Sequence, residues 1–535
     1  MESNSRENRI MIIKTTALAI LFAVLLFTRF YDITILPFGY HMDEAGAGYD
    51  ARCLAGYGTD RYFKSWPLYL TNFGPGQSSL YAFICAFLFK IFGYSKFLLR
   101  LPAALFSVFT FIFGVDLTDR CFGKEKLYGI LSGFLVVICP YFVLASRIGL
   151  DCNLMLGMSV IFLDIFALIL EKEKPGLWMY ALLGVIGGLV LYTYALSYII
   201  LPLFLLFMFL YTLRTKKFDL KGWLIMAVPL FILAFPLILI QFINIMDLPE
   251  RRLGIFTLTK LIRYRGGEFE KPYLLKFNYF LEVFLKGDDL LFDSIPGFPN
   301  LYRWSIYLIP VGLLREIIRL IHGNVKRKYS AGSIVLLWFV SVFILENLIS
   351  VATYTANAIF FSAVFMAVSA LEGVVLLIKK IFDKNLKTVR FIVPVIPAVT
   401  VILYAIDAFG FFAYYYGEYT KDTYPQVYFG NAVFDAFEYI ESDPVLSARE
   451  TYTGEAAIYY LLESGASPHV VEDPENFTYN TAGVIGKYHF GALPDIEDGC
   501  NYVTAYGKYE EYKEELSERG FESVEFSECE LWYKR

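Results

Sequence analysis

Ser79–Gly93 reads SLYAFICAFLFKIFG, and whether these fifteen residues cross a bilayer sets the side of everything that follows. As a helix they extend about 22 Å, short of the roughly 30 Å of hydrocarbon in a membrane. Lys90 also interrupts the apolar run. Longer apolar blocks lie at 11–29, 97–118, 127–145, 153–170, 177–195, 197–213, 222–246, 304–321, 331–350, 356–378 and 390–413. Suppose that the N-terminus is cytoplasmic and that 79–93 does not cross. The short cytoplasmic loops then hold seventeen basic residues: Arg120, Lys124 and Lys126; Lys172 and Lys174; Arg214, Lys216, Lys217 and Lys221; Lys326, Arg327 and Lys328; Lys379, Lys380, Lys384, Lys387 and Arg390. The short outer loops near 146–152, 196 and 351–355 hold one, Arg147. If 79–93 crossed, this bias would invert, against the tendency of Lys and Arg to stay on the cytoplasmic side. The sequence therefore predicts a mainly α, polytopic membrane protein with eleven spans and 79–93 as an interfacial helix.

Composition agrees. Of the 535 residues 57% are apolar and 19% charged, with 51 Phe and 40 Tyr. A soluble domain carries about a quarter charged residues and cannot bury such an excess of apolar surface. The net charge of −5 is mild, and no nucleic-acid partner is expected. The seven cysteines form no CxxC pair and the four histidines (41, 322, 469, 489) lie far apart, so spacing offers no zinc cage. Cys500 and Cys529 share the polar tail and are open to either a disulfide or two thiols. Residues 11–28, MIIKTTALAILFAVLLFT, are followed by Arg29-Phe30-Tyr31 without a small-residue cleavage site, so they read as a retained anchor.

An odd number of spans divides the chain into a membrane domain, 1–413, and an extracytoplasmic tail, 414–535. Two long loops, 30–96 and 247–303, also lie outside. The tail is rich in Glu, Asp and Tyr. Asn501–Tyr506 and Phe521–Tyr533 alternate like strands, and Tyr509–Arg519 is an amphipathic helix. A helix near 454–464 and a strand near 468–471 complete a small α/β domain.

Loop 30–96 carries His41-Met42-Asp43-Glu44 directly after the first span. An adjacent pair of acids is often an ordinary solvated loop start. At a membrane surface, however, carboxylates are costly to desolvate unless they meet a cation, a proton or a substrate. Gly46, Gly48, Gly56 and Gly58 permit tight backbone, Tyr62-Phe63 and Trp66-Pro67-Leu68-Tyr69 add aromatics, and Asn72–Gln77 leads into the interfacial helix. So long and so built a loop reads as a structured cap over a cavity. The next outer loop places Arg147 and Asp151 at neighbouring span ends, either as a membrane-edge ion pair or as a cation for phosphate beside a carboxylate. In loop 247–303, Arg251, Arg252, Lys260, Arg263 and Arg265 make a basic start and Asp288, Asp289 and Asp293 an acidic end. The basic part suits either solvent or an anionic headgroup.

Together, the acidic DE pair past the first span, the interfacial helix running into Arg100-Leu101-Pro102-Ala103-Ala104-Leu105-Phe106, the turn Asp119-Arg120-Cys121-Phe122-Gly123, and Pro140-Tyr141-Phe142 with Ser146-Arg147 before a second acid resemble a known superfamily. It is that of the C-type (GT-C) polyprenyl-phosphate-sugar glycosyltransferases, which includes the protein O-mannosyltransferases (family 39) and the lipid A aminoarabinose transferases. The resemblance covers residues 11 to about 215; later spans match only in number and hydropathy. It implies Asp43 as general base with Glu44 beside it, Asp151 as the second acidic residue, and Arg147 at the lipid phosphate. His41 and Arg263 are further substrate-side candidates, His41 with an equal claim to loop packing. It also implies inversion at the anomeric carbon, a polyprenyl-phosphate-sugar donor, and a protein, lipid or cell-surface polymer as acceptor. No cofactor is assigned. A divalent metal between Asp43, Asp151 and phosphate stays optional, because the chain shows no closed ligand set.

A transporter or flippase is the competing expectation. Such proteins place charges or broken helices in matching halves near the bilayer midplane, whereas Asp116, Asp164, Glu346, Glu372 and Asp407 sit mostly near predicted span ends. Reporter fusions test the topology. Fusions after residues 93 and 414 should report the outer side and a fusion after 122 the cytoplasm; a cytoplasmic 414 fusion would overturn the parity argument.

Overall fold

The computed structural model describes residues 2–124, 126–264, 294–345, 358–382, 387–421, 429–430, 433–470, 483–526 and 528–535. Arg265, Asp288, Asp289, Asp293, Glu346 and the short loop 351–355 lie outside the described residues. Each expected span falls on a helix. They are α1 (Glu2–Phe30), α4 (Lys96–Phe122), α5 (Tyr128–Ile138) continued by α6 (Pro140–Leu144), α7 (Asp151–Glu171), α8 (Leu177–Leu191), α9 (Ser197–Arg214), α10 (Leu220–Ile245), α11 (Ser305–Lys326), α12 (Gly332–Ile344), α13 (Ile359–Ile381) and α14 (Lys387–Gly417). Among the described residues, seven of these are long and apolar enough to cross a membrane, and α5, α8 and α12 are shorter apolar helices. The chain is a multi-pass membrane protein.

The block 127–145 is not one helix. Cys139 sits at φ −70° and ψ 137° because the residue before a proline is pushed out of the helical region, and Pro140 then opens α6 from its first position. Elsewhere, helix pairs close tightly where one partner has no side chain. A Cβ on Gly184 of α8 would overlap the Met226 carbonyl of α10, and one on Gly312 of α11 would overlap that of Met366 in α13. Such close backbone approach is how helices associate where lipid tails are as apolar as the side chains. Of the ionisable residues read inside spans, Asp164 pairs with Arg120 at 2.8 Å, Glu372 with Lys126 at 2.7 Å and Asp407 with Arg303 at 3.3 Å, and Asp116 also pairs with Arg120.

The segment between α1 and α4, the first outer segment of the expected topology, holds two helices, α2 (Met42–Tyr57) and α3 (Leu80–Phe92), separated by a short hairpin of β1 (Tyr69–Leu70) and β2 (Gln77–Ser78). Gly46 and Gly48 therefore lie within a helix rather than at bends, and α3 is the thirteen-residue core of the expected interfacial segment. A small hairpin, β3 (Arg251–Leu253) with β4 (Phe256–Leu258), lies against it: Leu68 N–H donates to the Thr257 carbonyl at 3.1 Å.

The tail is an α/β unit. Its six-stranded sheet comprises β5 (Thr451–Thr453), β6 (Gly483–Ile485), β7 (Tyr488–Phe490), β8 (Asn501–Ala505), β9 (Glu522–Glu525) and β10 (Cys529–Tyr533), in the order β6-β7-β5-β8-β10-β9. The central β5 runs parallel to both neighbours; the other pairs are antiparallel. Helices α15 (Phe434–Ser442), α16 (Ala457–Ser464) and α17 (Glu510–Glu518) accompany it. The expected strand near 468–471 is instead a 3-10 turn over Pro468–Val470, and Phe521–Tyr533 divides into a hairpin rather than one strand. Cys500 and Cys529 are unbridged.

This unit shares a hydrophobic core with the first outer segment: Tyr40, Ala45, Tyr49 and Leu99 pack with Ile458, Leu461, Leu462 and Leu531. Tyr40 and Gly430 exchange backbone hydrogen bonds of 2.8 Å each way, and Arg52 of α2 donates to the Glu463 carbonyl at 2.8 Å. We expect Gly312→Val to force α11 from α13 and cost at least about 1–3 kcal/mol, read as a lower thermal-unfolding midpoint in detergent. An unchanged midpoint would show that the two backbones do not meet there.

Candidate active site

The site begins with the helix start that His41 makes. Its backbone is extended, its Nδ1 accepts the Asp43 N–H at 3.1 Å, and Glu44 Oε2 accepts the His41 N–H at 3.3 Å. This is a reciprocal capping box with imidazole in the usual place of a hydroxyl. It satisfies otherwise orphaned donors and sends the two acids in opposite directions.

Glu44 points inward and is fully buried. Arg100 Nε and Nη2 donate to it at 2.8 and 3.2 Å, and the Gly149 N–H donates at 2.8 Å. Arg100 also donates to the carbonyls of Ile33 (2.8 Å), Pro37 (3.1 Å) and Gly39 (2.8 Å), so all five of its N–H groups are used. Burial alone would raise the Glu44 carboxyl. The charge and hydrogen bonds of Arg100, with the Gly149 N–H, outweigh it and hold the group below the ordinary carboxylate range.

Asp43 points outward and is exposed. Asn72 Nδ2 approaches its Oδ1 at 3.5 Å and donates to Gln77 Oε1 at 2.6 Å, and Gln77 Nε2 donates to Asp151 Oδ1 at 3.3 Å. Asp151, buried at the start of α7, also accepts the N–H groups of Ser78 and Cys152, both at 2.9 Å. The two acids read from the sequence thus belong to one polar chain, with two amides between them. Gly46 makes room for it: a Cβ there would run into Asn72 Oδ1.

Behind Asn72 lies Arg61, which donates Nη2 to Asn72 Oδ1, stacks 4.7 Å from the Phe73 ring and lies 3.4 Å from Asp50. Asp60 is buried beside it and accepts the N–H groups of Tyr62 and Lys64 at 2.9 Å. Burial raises both carboxyls, and the nearby Asp50 raises Asp60 further. Phe63, Trp66 and Phe73 all hold positive φ (61°, 39° and 49°). Non-glycine residues rarely adopt such backbone, and it persists where the surroundings over-determine it.

Arg147 lies elsewhere. It is fully buried and donates to the carbonyls of Leu36 (3.1 Å), Thr28 (2.9 Å) and Tyr31 (2.6 Å), with Tyr415 and Tyr416 facing its guanidinium. The geometry makes it a tie between the second outer loop and the end of α1. Arg263 is exposed, and its N–H donates to the Gly74 carbonyl at 3.2 Å, within the turn that carries Asn72 and Gln77. Among the described residues no group of three His, Cys, Asp or Glu side chains is placed to hold a metal ion. Arg61, Asn72 and Gln77 were not singled out from the sequence. The amides have no charge pattern to mark them, and Arg61 sits in a stretch that reads as aromatic loop.

The chain shares the fold of a solved membrane protein, ArnT. The chain matches ArnT from Cupriavidus metallidurans bound to undecaprenyl phosphate at a TM-score of 0.53 and 12% identity, over 98% of this chain and 97% of that one. The apo state of the same protein matches at 0.52 and 13%, over 97% and 98%. Within this fold, residues 77–240 match the family model described as dolichyl-phosphate-mannose-protein mannosyltransferase. No curated protein matches the chain.

The Glu44–Arg100 pair predicts a pH signature. Glu44 has a folded-state pKa below its unfolded one, so its contribution is complete above the ordinary carboxylate range and is lost as pH falls through the lower folded value. Arg100→Ala leaves an unpaired buried carboxylate, at a cost on the order of 3–5 kcal/mol at neutral pH. The variant should recover part of this as pH falls, because without Arg100 burial raises the Glu44 carboxyl and a proton neutralises it. Unfolding midpoints across pH check it; equal losses at both ends would show that the pair is not the cause.

Proposed function

We propose that the chain transfers a sugar from a polyprenyl-phosphate donor to an acceptor hydroxyl on the extracytoplasmic face, with Asp43 as general base. One observation carries the assignment: of Asp43, Glu44, Asp50, Asp60 and Asp151, Asp43 alone is exposed, and the other four are buried and held by fixed donors. The fold and the family match over residues 77–240 support the reaction class.

The chemistry asks little of the protein. A polyprenyl phosphate is already a good leaving group, so the site must align donor and acceptor, accept the acceptor proton and meet charge on the departing phosphate. Asp43 accepts that proton as the hydroxyl oxygen attacks the anomeric carbon. The bond to the phosphate oxygen breaks on the opposite face, which inverts the centre. Asn72 orients Asp43 through its amide, and Arg61 fixes which way that amide faces. Arg263, exposed beside the Asn72–Gln77 turn, meets the phosphate. Glu44, Arg100 and Arg147 hold the frame, and Asp151 holds the β1–β2 hairpin through Gln77 and Ser78. Asp43 and Asp151 are linked through two amides, and among the described residues no third acid joins them.

Asp43→Asn keeps the shape and removes the base. Transfer by purified protein given polyprenyl-phosphate sugars should fall by about 10²–10⁴-fold, with donor binding retained; undiminished turnover would overturn the assignment. Arg263→Ala should weaken donor binding instead.

A further inference from the structure

At the end of the bundle far from Asp43, a groove of about 380 Å³ opens between α9, α11 and α12. Helix α9 leaves the neighbourhood of the first outer segment, where Leu80 N–H donates to the Tyr192 carbonyl at 3.3 Å just before the helix begins. Its eighteen residues then carry the chain about 26 Å away. Phe207, Leu210, Leu320 and Leu337 make the walls, and Arg214 and Asn324 stand at the rim. On either side α9 exposes Leu206 and Leu213, and α11 exposes Leu314, Ile318 and Ile321, as helices facing acyl chains do.

Two independent features say what fits it. The first is charge. Arg214 lines the groove, Lys216 and Lys217 follow it at the end of α9, Lys326, Arg327 and Lys328 follow Asn324 at the end of α11, and neither 212–218 nor 320–330 contains an Asp or Glu. The nearest acid of α11, Glu316, is buried and paired with Arg315 and Arg319. The second is a set of buried polar atoms at the α11–α12 junction. Asn324 Oδ1, Tyr329 OH and Ser330 Oγ have no hydrogen-bond partner among the described residues. Such atoms are rare in folded proteins and call for a missing partner. The junction itself is pinned, because Tyr211 OH donates to the Ser330 carbonyl at 3.2 Å and accepts its N–H at 2.8 Å.

We propose that this groove is a binding site for one anionic glycerophospholipid of the phosphatidylglycerol type. An acyl chain lies along the leucine walls, the phosphate meets Arg214 and the basic end of α11, and a headgroup hydroxyl reaches the unpartnered Asn324 Oδ1 in the lining. A zwitterionic lipid would bring its own cation beside Arg214 and the basic ends of α9 and α11, so the site discriminates by headgroup charge. A basic side chain near an anionic headgroup contributes about 1 kcal/mol, roughly fivefold in affinity.

Native mass spectrometry of the full-length protein, titrated with dioleoyl-phosphatidylglycerol and dioleoyl-phosphatidylcholine, reads the preference directly. Phosphatidylglycerol should bind at least about tenfold more tightly, from two or more basic contacts. Arg214→Gln with Lys328→Gln should remove most of that preference while leaving phosphatidylcholine binding as it was. Arg214→Lys should keep it. Leu210→Trp, which fills the groove, should weaken both lipids. Equal binding of the two lipids, or a preference untouched by the Gln pair, would overturn the site. So would a farnesyl phosphate that binds as tightly as phosphatidylglycerol and is displaced by Leu210→Trp, since the groove would then be a polyprenyl-phosphate site.

Discussion

The first outer segment depends on one buried guanidinium. Arg100 sits in α4 with no solvent contact, and water would normally supply far better solvation than a protein interior. It is retained because each of its five N–H groups finds an acceptor: two on Glu44 and one on each carbonyl of Ile33, Pro37 and Gly39. Breaking such a pair costs more than forming it gains, because the survivor is left charged and dry. The consequence is geometric. The exit of α1, the start of α2, the body of α4 and the Gly149 turn are drawn to a single point, and Asp43, one residue from Glu44, takes up a fixed direction toward solvent.

The two acids of the DE pair thus have different tasks set by helical geometry. Adjacent helical residues point about 100° apart, so when the capping box and Arg100 fix Glu44 inward, Asp43 must face out. The Asn72–Gln77 turn then closes over it, with Arg61 behind. Three non-glycine residues at positive φ in residues 63–73 show that this segment is held by its surroundings rather than by local preference.

Much of the architecture was legible because apolar blocks of membrane length are strong, additive signals. Over its described residues every expected span lies on helix, with 127–145 broken at Cys139, and the segment 79–93 is helical as α3. What was lost is local. A helix rich in glycine, α2, has neither the apolar periodicity nor the propensity of a helix and reads as loop; it is helical because its glycines admit Asn72 and Leu99 against its backbone. The kink at Cys139 is readable from Pro140 only once the block is known to be helical. In the site, the DE pair and Asp151 stood out as charges, but charge alone could not tell a buried tie from an exposed group. Arg147 and Glu44 were therefore grouped with Asp43. The amides that link the acids carry no charge and left no trace.

The tail unit packs on α2, and this has a consequence for biogenesis. Tyr40 and Glu463, joined by a hydrogen bond, are 423 residues apart in the chain. At the usual synthesis rate of about 5–20 residues per second, roughly 20–85 s pass between the emergence of one and of the other. Throughout that interval α2 lacks its packing against α16. The end that carries Asp43 is completed only once the residues around 463 have been made, so a ribosome-bound chain that stops short of them would occupy the membrane with this end unfinished.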